Sequence, residues 1–175
     1  MKVSIVGASG YGGGELLRLL LQHPHVEVHQ CTSERFVGKP VTRLHPNLRK
    51  QTALKFCSIQ DLEKVDLLFS ALPHSQCMHK IGGFTSLADR VIDLSADFRL
   101  KDTTVYSKWY DLEHTQPDKL GEFVYGNVEL HREEMRQARF ISGAGCNATA
   151  TILPLWPLFK QGVVDTSLPV IAEAK

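Results

Sequence analysis

Short apolar runs alternate with helix-period segments along this chain, which is the rhythm of a parallel α/β sheet. Residues 3–6 form a first apolar run and read as a strand. Glu15, Leu16, Leu17, Leu19, Leu20 and Leu21 give an apolar helix that Pro24 stops. Residues 26–31 alternate as a second strand. Ser58-Ile59-Gln60-Asp61 reads as a helix start, because Ser58 can cap and Asp61 suits the positive end of the helix. Residues 66–72 are a buried-strand run ended by Pro73, and 75–87 a crossover helix that Gly82-Gly83 weakens in its second half. Residues 91–94 and 140–142 read as further strands, and 147–159 as a helix with Pro154 and Pro157 as irregularities. Between them, residues 97 to about 132 are polar, aromatic and irregular, an excursion of functional rather than linker length. This order predicts an α/β fold with a doubly wound, mostly parallel sheet. Residues 163–175 look like a strand opening a new element, either a sheet edge or the start of a continuation in a longer protein; the second is favoured.

Composition narrows the class without naming it. The 175 residues are 43% apolar and 22% charged, ordinary for one soluble globular domain. Twenty basic and nineteen acidic residues give a net charge of +1 without runs, so a nucleic-acid stripe is not expected. No apolar stretch approaches the ~18–20 residues of a membrane span, and residues 1–6 hold no signal-peptide core, so a cytoplasmic location is expected. Cys31, Cys57, Cys77 and Cys146 lie far apart with no CxxC pair, and the eight histidines form no HExxH. No metal is expected.

The chemistry concentrates at two glycine-bearing turns. Gly7-Ala8-Ser9-Gly10-Tyr11-Gly12-Gly13 follows a strand and opens a helix, the context in which such a loop cradles a pyrophosphate. Gly7, Ser9, Gly10, Tyr11, Gly12 and Gly13 are therefore cofactor candidates. The tip of the second strand, Cys31-Thr32-Ser33-Glu34-Arg35, bears on which dinucleotide is bound. Ser33 can donate to a 2′-phosphate and Arg35 can pair with it, which favours NADP(H). Glu34 is the competing feature, since a carboxylate there could take a ribose diol.

The second turn is Ser142-Gly143-Ala144-Gly145-Cys146-Asn147. It places Cys146 between a strand end and a helix start, where free N–H groups stabilise a thiolate and can receive a developing oxyanion. The other three cysteines read as small buried hydrophobes. A thiolate beside a nicotinamide points to attack on an activated acyl group, loss of the leaving group and reduction of the thioester to an aldehyde. An acyl phosphate would need a cation, and Arg99 in Ser95-Ala96-Asp97-Phe98-Arg99 stands in the right region; an ion pair with Asp97 or Asp102 is the equal alternative on spacing.

These residues, together with Gly38-Lys39-Pro40, His45-Pro46, Leu72-Pro73-His74, Asp93-Leu94-Ser95-Ala96-Asp97-Phe98-Arg99 and Tyr125-Gly126, closely resemble the N-acetyl-γ-glutamyl-phosphate reductase family from end to end. Arginine-pathway members usually carry Pro-Gly-Cys, whereas Ala144-Gly145-Cys146-Asn147-Ala148-Thr149 looks like the lysine-pathway branch, which reduces an aminoadipyl or glutamyl phosphate borne on a small acidic carrier protein. The resemblance implies Cys146 as nucleophile, Ser9 to Gly12 and Ser33 to Arg35 at NADP(H), and Arg99 at the substrate phosphate. It implies a Rossmann-like domain over residues 1–146, with 147–175 as the cysteine helix and the start of a second α/β domain. That second half would supply the acid/base histidine and most contacts of a homo-oligomer, so His74, His114 and His131 are not assigned that role and little turnover is expected of this chain alone. Glu34 stands where relatives often carry arginine. Competing readings are a non-catalytic dinucleotide-binding module, an aspartate-semialdehyde-type dehydrogenase, and a truncated product without activity.

Overall fold

In the computed structural model, which describes residues 1–173, six parallel strands form one sheet. The strands are β1 (Lys2–Val6), β2 (Glu27–Cys31), β3 (Val65–Ser70), β4 (Ala88–Asp93), β5 (Phe123–Gly126) and β6 (Phe140–Gly143), in the order β2-β1-β3-β4-β6-β5. The helices are α1 (Tyr11–Leu20), α2 (Cys77–Leu87), α3 (Thr103–Tyr110), α4 (Val128–Gln137) and α5 (Cys146–Lys160). This is the doubly wound parallel sheet that the alternating pattern predicts.

Side chains on β1 alternate between two cores, as the two-residue period of a strand requires. Ile5 packs with Leu17 of α1, Cys31, Val41, Leu48 and Phe56. Its neighbour Val6 packs with Leu68, Met78 and Ile81 of α2, and Val91. That second core extends through an aromatic ladder in which Phe98 stacks on Phe123 at 4.0 Å between ring centres and Phe123 on Phe140 at 5.3 Å.

Some expectations change. The segment from 97 to 132 is not irregular: it contains α3, β5 and the first part of α4. Asp102 caps α3 by accepting the backbone N–H groups of Thr104 and Val105, and Tyr106 and His114 pack edge-on, 4.9 Å between ring centres. The lysine at 101 donates to the carbonyls of Leu120 and Phe123, tying the excursion to β5. A four-residue strand with only Phe123 buried carries too little pattern to be seen in sequence. Gly82-Gly83 do not interrupt α2, because its other face, with Met78, Ile81 and Phe84, is fully buried. Residues 163–173 form turns and coil rather than a strand, and 174–175 lie outside the described residues. Ser58 does cap, but the element it opens is a single 3₁₀ turn, Ile59–Asp61, closed by a reciprocal bond from the Ser58 N–H to Asp61.

Helix α5 runs through Pro154 and Pro157 and buries none of its residues; Trp156, Leu158 and Phe159 stand exposed on it. Among the described residues no helix is long and apolar enough to cross a membrane.

Candidate active site

The sheet order reverses at β1, which has β2 on one side and β3 on the other. Loops leaving the carboxyl ends of neighbouring strands diverge there and open a crevice. A cleft of about 570 Å³ occupies it, walled by the glycine loop, the β2 tip and residues 71–74 after β3.

The glycines in the loop do different work. Gly7 takes φ +80°, and a Cβ there would lie 2.7 Å from the Ala71 carbonyl oxygen. A Cβ on Gly13 would lie 2.5 Å from the Ala8 Cα, so Gly13 lets helix and strand touch and does not itself line the cleft. Gly10 and Gly12 do line it, and a Cβ on Gly12 would meet nothing within 4 Å. The free space over Gly12 therefore suits an incoming phosphate group. No side chain caps α1, whose N-cap is Gly10, so the helix start offers backbone N–H groups to an anion. Tyr11 is fully exposed at the rim. Ser9 accepts a hydrogen bond from the Ser33 hydroxyl at 2.9 Å, joining the loop to the β2 tip.

Glu34 and Arg35 differ in how far they are committed. The Glu34 carboxylate accepts the Ile59 N–H at 2.8 Å and the Ser58 hydroxyl at 3.1 Å. Arg35 lies over the Phe36 ring at 5.3 Å, has no carboxylate partner among the described residues, and lines the cleft. The residues present thus fit a dinucleotide, with an uncommitted cation at the β2 tip and an acid already engaged.

Cys146 is the first residue of α5, after β6, and is exposed, whereas Cys31 and Cys77 are buried and Cys57 is half-buried. Burial pushes the Cys31 thiol up to about 12, and raises those of Cys57 and Cys77. The Cys146 sulfur lies 3.9 Å from Asn147 Oδ1.

Arg99 stands beside this turn, and of its two alternatives the ion pair with Asp97 or Asp102 does not form. Its Nε donates to the Gly143 carbonyl at 2.8 Å and its Nη2 to the Leu94 carbonyl at 2.9 Å. Asp97 is engaged instead by the N–H groups of Ser75 and Met78, and Asp102 by α3. The remaining nitrogen, Nη1, would be 3.0 Å from a Cβ on Gly145, so glycine there admits the guanidinium. Arg99, Gly145, Tyr110 and Tyr125 border a hollow of about 380 Å³. Below, buried Asp93 accepts the Ser95 hydroxyl and N–H, and burial raises its carboxyl above the usual range.

Two contributors carry no chemical signal of their own in the sequence. His45 lies beneath the glycine loop and donates from Nε2 to the Ala8 carbonyl at 2.8 Å. His74 lines the cleft beside the glycine loop itself. Both fall in short motifs that carry the family resemblance, which is the one signal that could have found them.

Residues 2–138 match the family described as semialdehyde dehydrogenase, NAD binding domain. Among curated relatives, LysW-L-2-aminoadipate 6-phosphate reductase of Deinococcus radiodurans is 52% identical over 162 residues, 93% of this chain and 47% of that protein. LysW-L-2-aminoadipate/LysW-L-glutamate phosphate reductase of Saccharolobus solfataricus is 47% identical over 168 residues, 94% of this chain and 48% of that protein. The chain spans about half the length of the curated relatives it matches. In fold it is similar to aspartate semialdehyde dehydrogenase II of Vibrio cholerae, with TM-score 0.64 and 18% identity over 91% of this chain and 42% of the other. It is also similar to the NADP-bound enzyme of Candida albicans, with TM-score 0.59 and 17% identity over 91% and 47%.

Proposed function

The chain belongs to the semialdehyde dehydrogenase family through its NAD-binding domain, and from that premise we propose that it binds NADP(H) and carries the nucleophile of an acyl-phosphate reductase. The observation that carries the reading is the placement of two loops at the carboxyl edge of one parallel sheet, the glycine loop after β1 and Gly145-Cys146 after β6. Three strand spacings, roughly 14 Å, separate them.

In this reading the N–H groups at the start of α1 take the pyrophosphate, and Ser33 and Arg35 take a 2′-phosphate. Engagement of Glu34 by Ser58 and Ile59 supports NADP(H) over a ribose-diol site. The Cys146 thiolate attacks the acyl carbon, the carbon–oxygen bond to phosphate breaks, the leaving group takes one proton from water to depart as hydrogen phosphate, and the acyl group is held as a thioester on Sγ. When bound, the reduced dinucleotide supplies the hydride that takes this thioester to the aldehyde level. Collapse of the adduct expels the Cys146 thiolate, so the step consumes no net proton. The N–H groups opening α5 face the oxyanion in both halves. Arg99 holds the turn through two carbonyls and presents Nη1 toward the departing phosphate.

Relatives near 50% identity are named for substrates borne on LysW, which supports a carrier-linked aminoadipyl or glutamyl phosphate over the N-acetylated substrate of arginine synthesis. Residues 1–146 are proposed as the dinucleotide half, with 147–175 opening a further unit that supplies an acid/base group and the contacts of a homo-oligomer.

The test pairs binding with labelling. NADPH fluorescence titration should saturate, and iodoacetamide should modify Cys146 first, with NADP⁺ reduction by semialdehyde and phosphate measured on this chain and on a longer polypeptide. Saturable binding with no preferentially labelled cysteine would instead favour a non-catalytic dinucleotide module.

A further inference from the structure

We propose that His74 is a cofactor-contact residue whose Nε2–H donates to an oxygen in the nicotinamide-ribose half of the dinucleotide; this rests on the reading of the cleft as a dinucleotide site. The β2 tip, with Ser33 and Arg35, occupies one end of the cleft, and residues 71–74 after β3 wall the opposite end. A 2′-phosphate at Arg35 therefore directs the other half of the molecule toward β3, β4 and the cysteine beyond. His74 is the histidine lining that end among the described residues.

The ring is held in one proton arrangement. Its Nδ1 accepts the Ala96 N–H at 2.9 Å, so in the neutral ring the proton resides on Nε2. The backbone around it is fixed as well. Ser75 sits at φ +66°, a left-handed conformation that costs energy for a residue with a Cβ. Buried Asp97 holds that turn by accepting the Ser75 N–H at 2.7 Å and the Met78 N–H at 3.0 Å. The Ser75 hydroxyl donates back to the His74 carbonyl at 2.6 Å. A strained turn over-determined by a buried carboxylate, presenting an exposed ring with its proton assigned, is more than packing of the β3 loop demands. Among the described residues, Nδ1 is the ring nitrogen that holds a hydrogen bond within the protein, and the ring is exposed.

Two variants separate contact from scaffolding. In His74→Asn, Oδ1 occupies the place of Nδ1 and keeps the Ala96 bond while the Nε2 donor is lost. In His74→Gln, the side-chain amide reaches the Nε2 position while the Ala96 bond is lost. NADPH and 2′,5′-ADP, which lacks the nicotinamide half, are titrated against each variant, with thermal melting as the folding control. His74→Asn should weaken NADPH about fivefold to tenfold, the loss of one hydrogen bond, and leave 2′,5′-ADP unchanged. His74→Gln should retain NADPH within about threefold. Equal NADPH affinity for His74→Asn and the unaltered protein overturns the proposal, as does parallel loss of both ligands. If the unaltered protein binds neither ligand, the dinucleotide reading itself fails and this proposal falls with it.

Discussion

Gly14 and His45 compete for the same space: a Cβ on Gly14 would lie 2.4 Å from the His45 Cε1. The ring cannot retreat freely, because its Nε2 is bonded to the Ala8 carbonyl inside the glycine loop. Helix propensity alone favours alanine over glycine by about 1 kcal/mol in mid-helix. Here the clash reverses the sign. Gly14→Ala should destabilise by about 1–3 kcal/mol, read from the urea midpoint, and should weaken NADPH by shifting Ala8 and Ser9. In a His45→Ala background the same change should be neutral or stabilising. A destabilisation that persists without the imidazole would show that the clash lies elsewhere.

The proposed preference for NADP(H) rests on the split between Glu34, bonded to Ser58 and Ile59, and Arg35, which lines the cleft. Arg35→Ala should raise the NADPH dissociation constant about tenfold, the loss of a charge-assisted contact, with NADH changed less than about twofold. Glu34→Gln should leave the ratio of the two affinities nearly unchanged, since its carboxylate serves Ser58 and Ile59. A selective loss of NADH in Glu34→Gln would return that carboxylate to the ribose.

How much of the fold and site is readable from residue order depends on how local each cause is. The strand, glycine loop and helix from Lys2 to Leu20 are encoded within twenty positions, so pattern and motif coincide. Cys146 is locatable for the same reason, between an apolar run and a helix start. Residue order puts Arg99 near the turn but leaves its partner open between a phosphate and an aspartate, because its bonds go to carbonyls at Gly143 and Leu94, and a backbone acceptor leaves no mark in composition. The excursion reads as irregular because α3 is held by tertiary contacts, Tyr106 on His114 and His114 on Phe98, rather than by periodicity. His74 bonds across 22 residues to Ala96, a distance over which sequence spacing carries no signal.

Arg99→Met separates scaffold from cofactor site. It removes a cation beside Gly145 and two tethers of the turn that opens α5, so iodoacetamide should modify Cys146 about fivefold more slowly. NADPH affinity should hold within about twofold, because Arg99 does not line that cleft. An unchanged labelling rate would separate Arg99 from the thiol's chemistry.

His114 should make the fold sensitive to mild acid. It is 8% exposed, packed edge-on against Phe98 and Tyr106, and accepts the Gln116 N–H at Nδ1. Burial pushes its pKa below the ordinary value, outweighing the neighbouring Asp97, which pulls it up. The unfolded chain, with an imidazole near 6.5, therefore binds a proton that the folded chain resists. Its contribution is complete above about pH 6.5 and is lost as pH falls through that value toward the lower folded pKa, by at most about 1.4 kcal/mol per pH unit. Asp93 works in the opposite sense, since burial raises its carboxyl and its cost grows as pH rises through the folded value. Comparing variants isolates the histidine. Urea midpoints should fall between pH 7.5 and 5.5 in the unaltered chain. His114→Asn, which keeps an acceptor for Gln116 and does not titrate, should start lower but lose less over the same interval. Identical losses would assign the acid sensitivity to other groups.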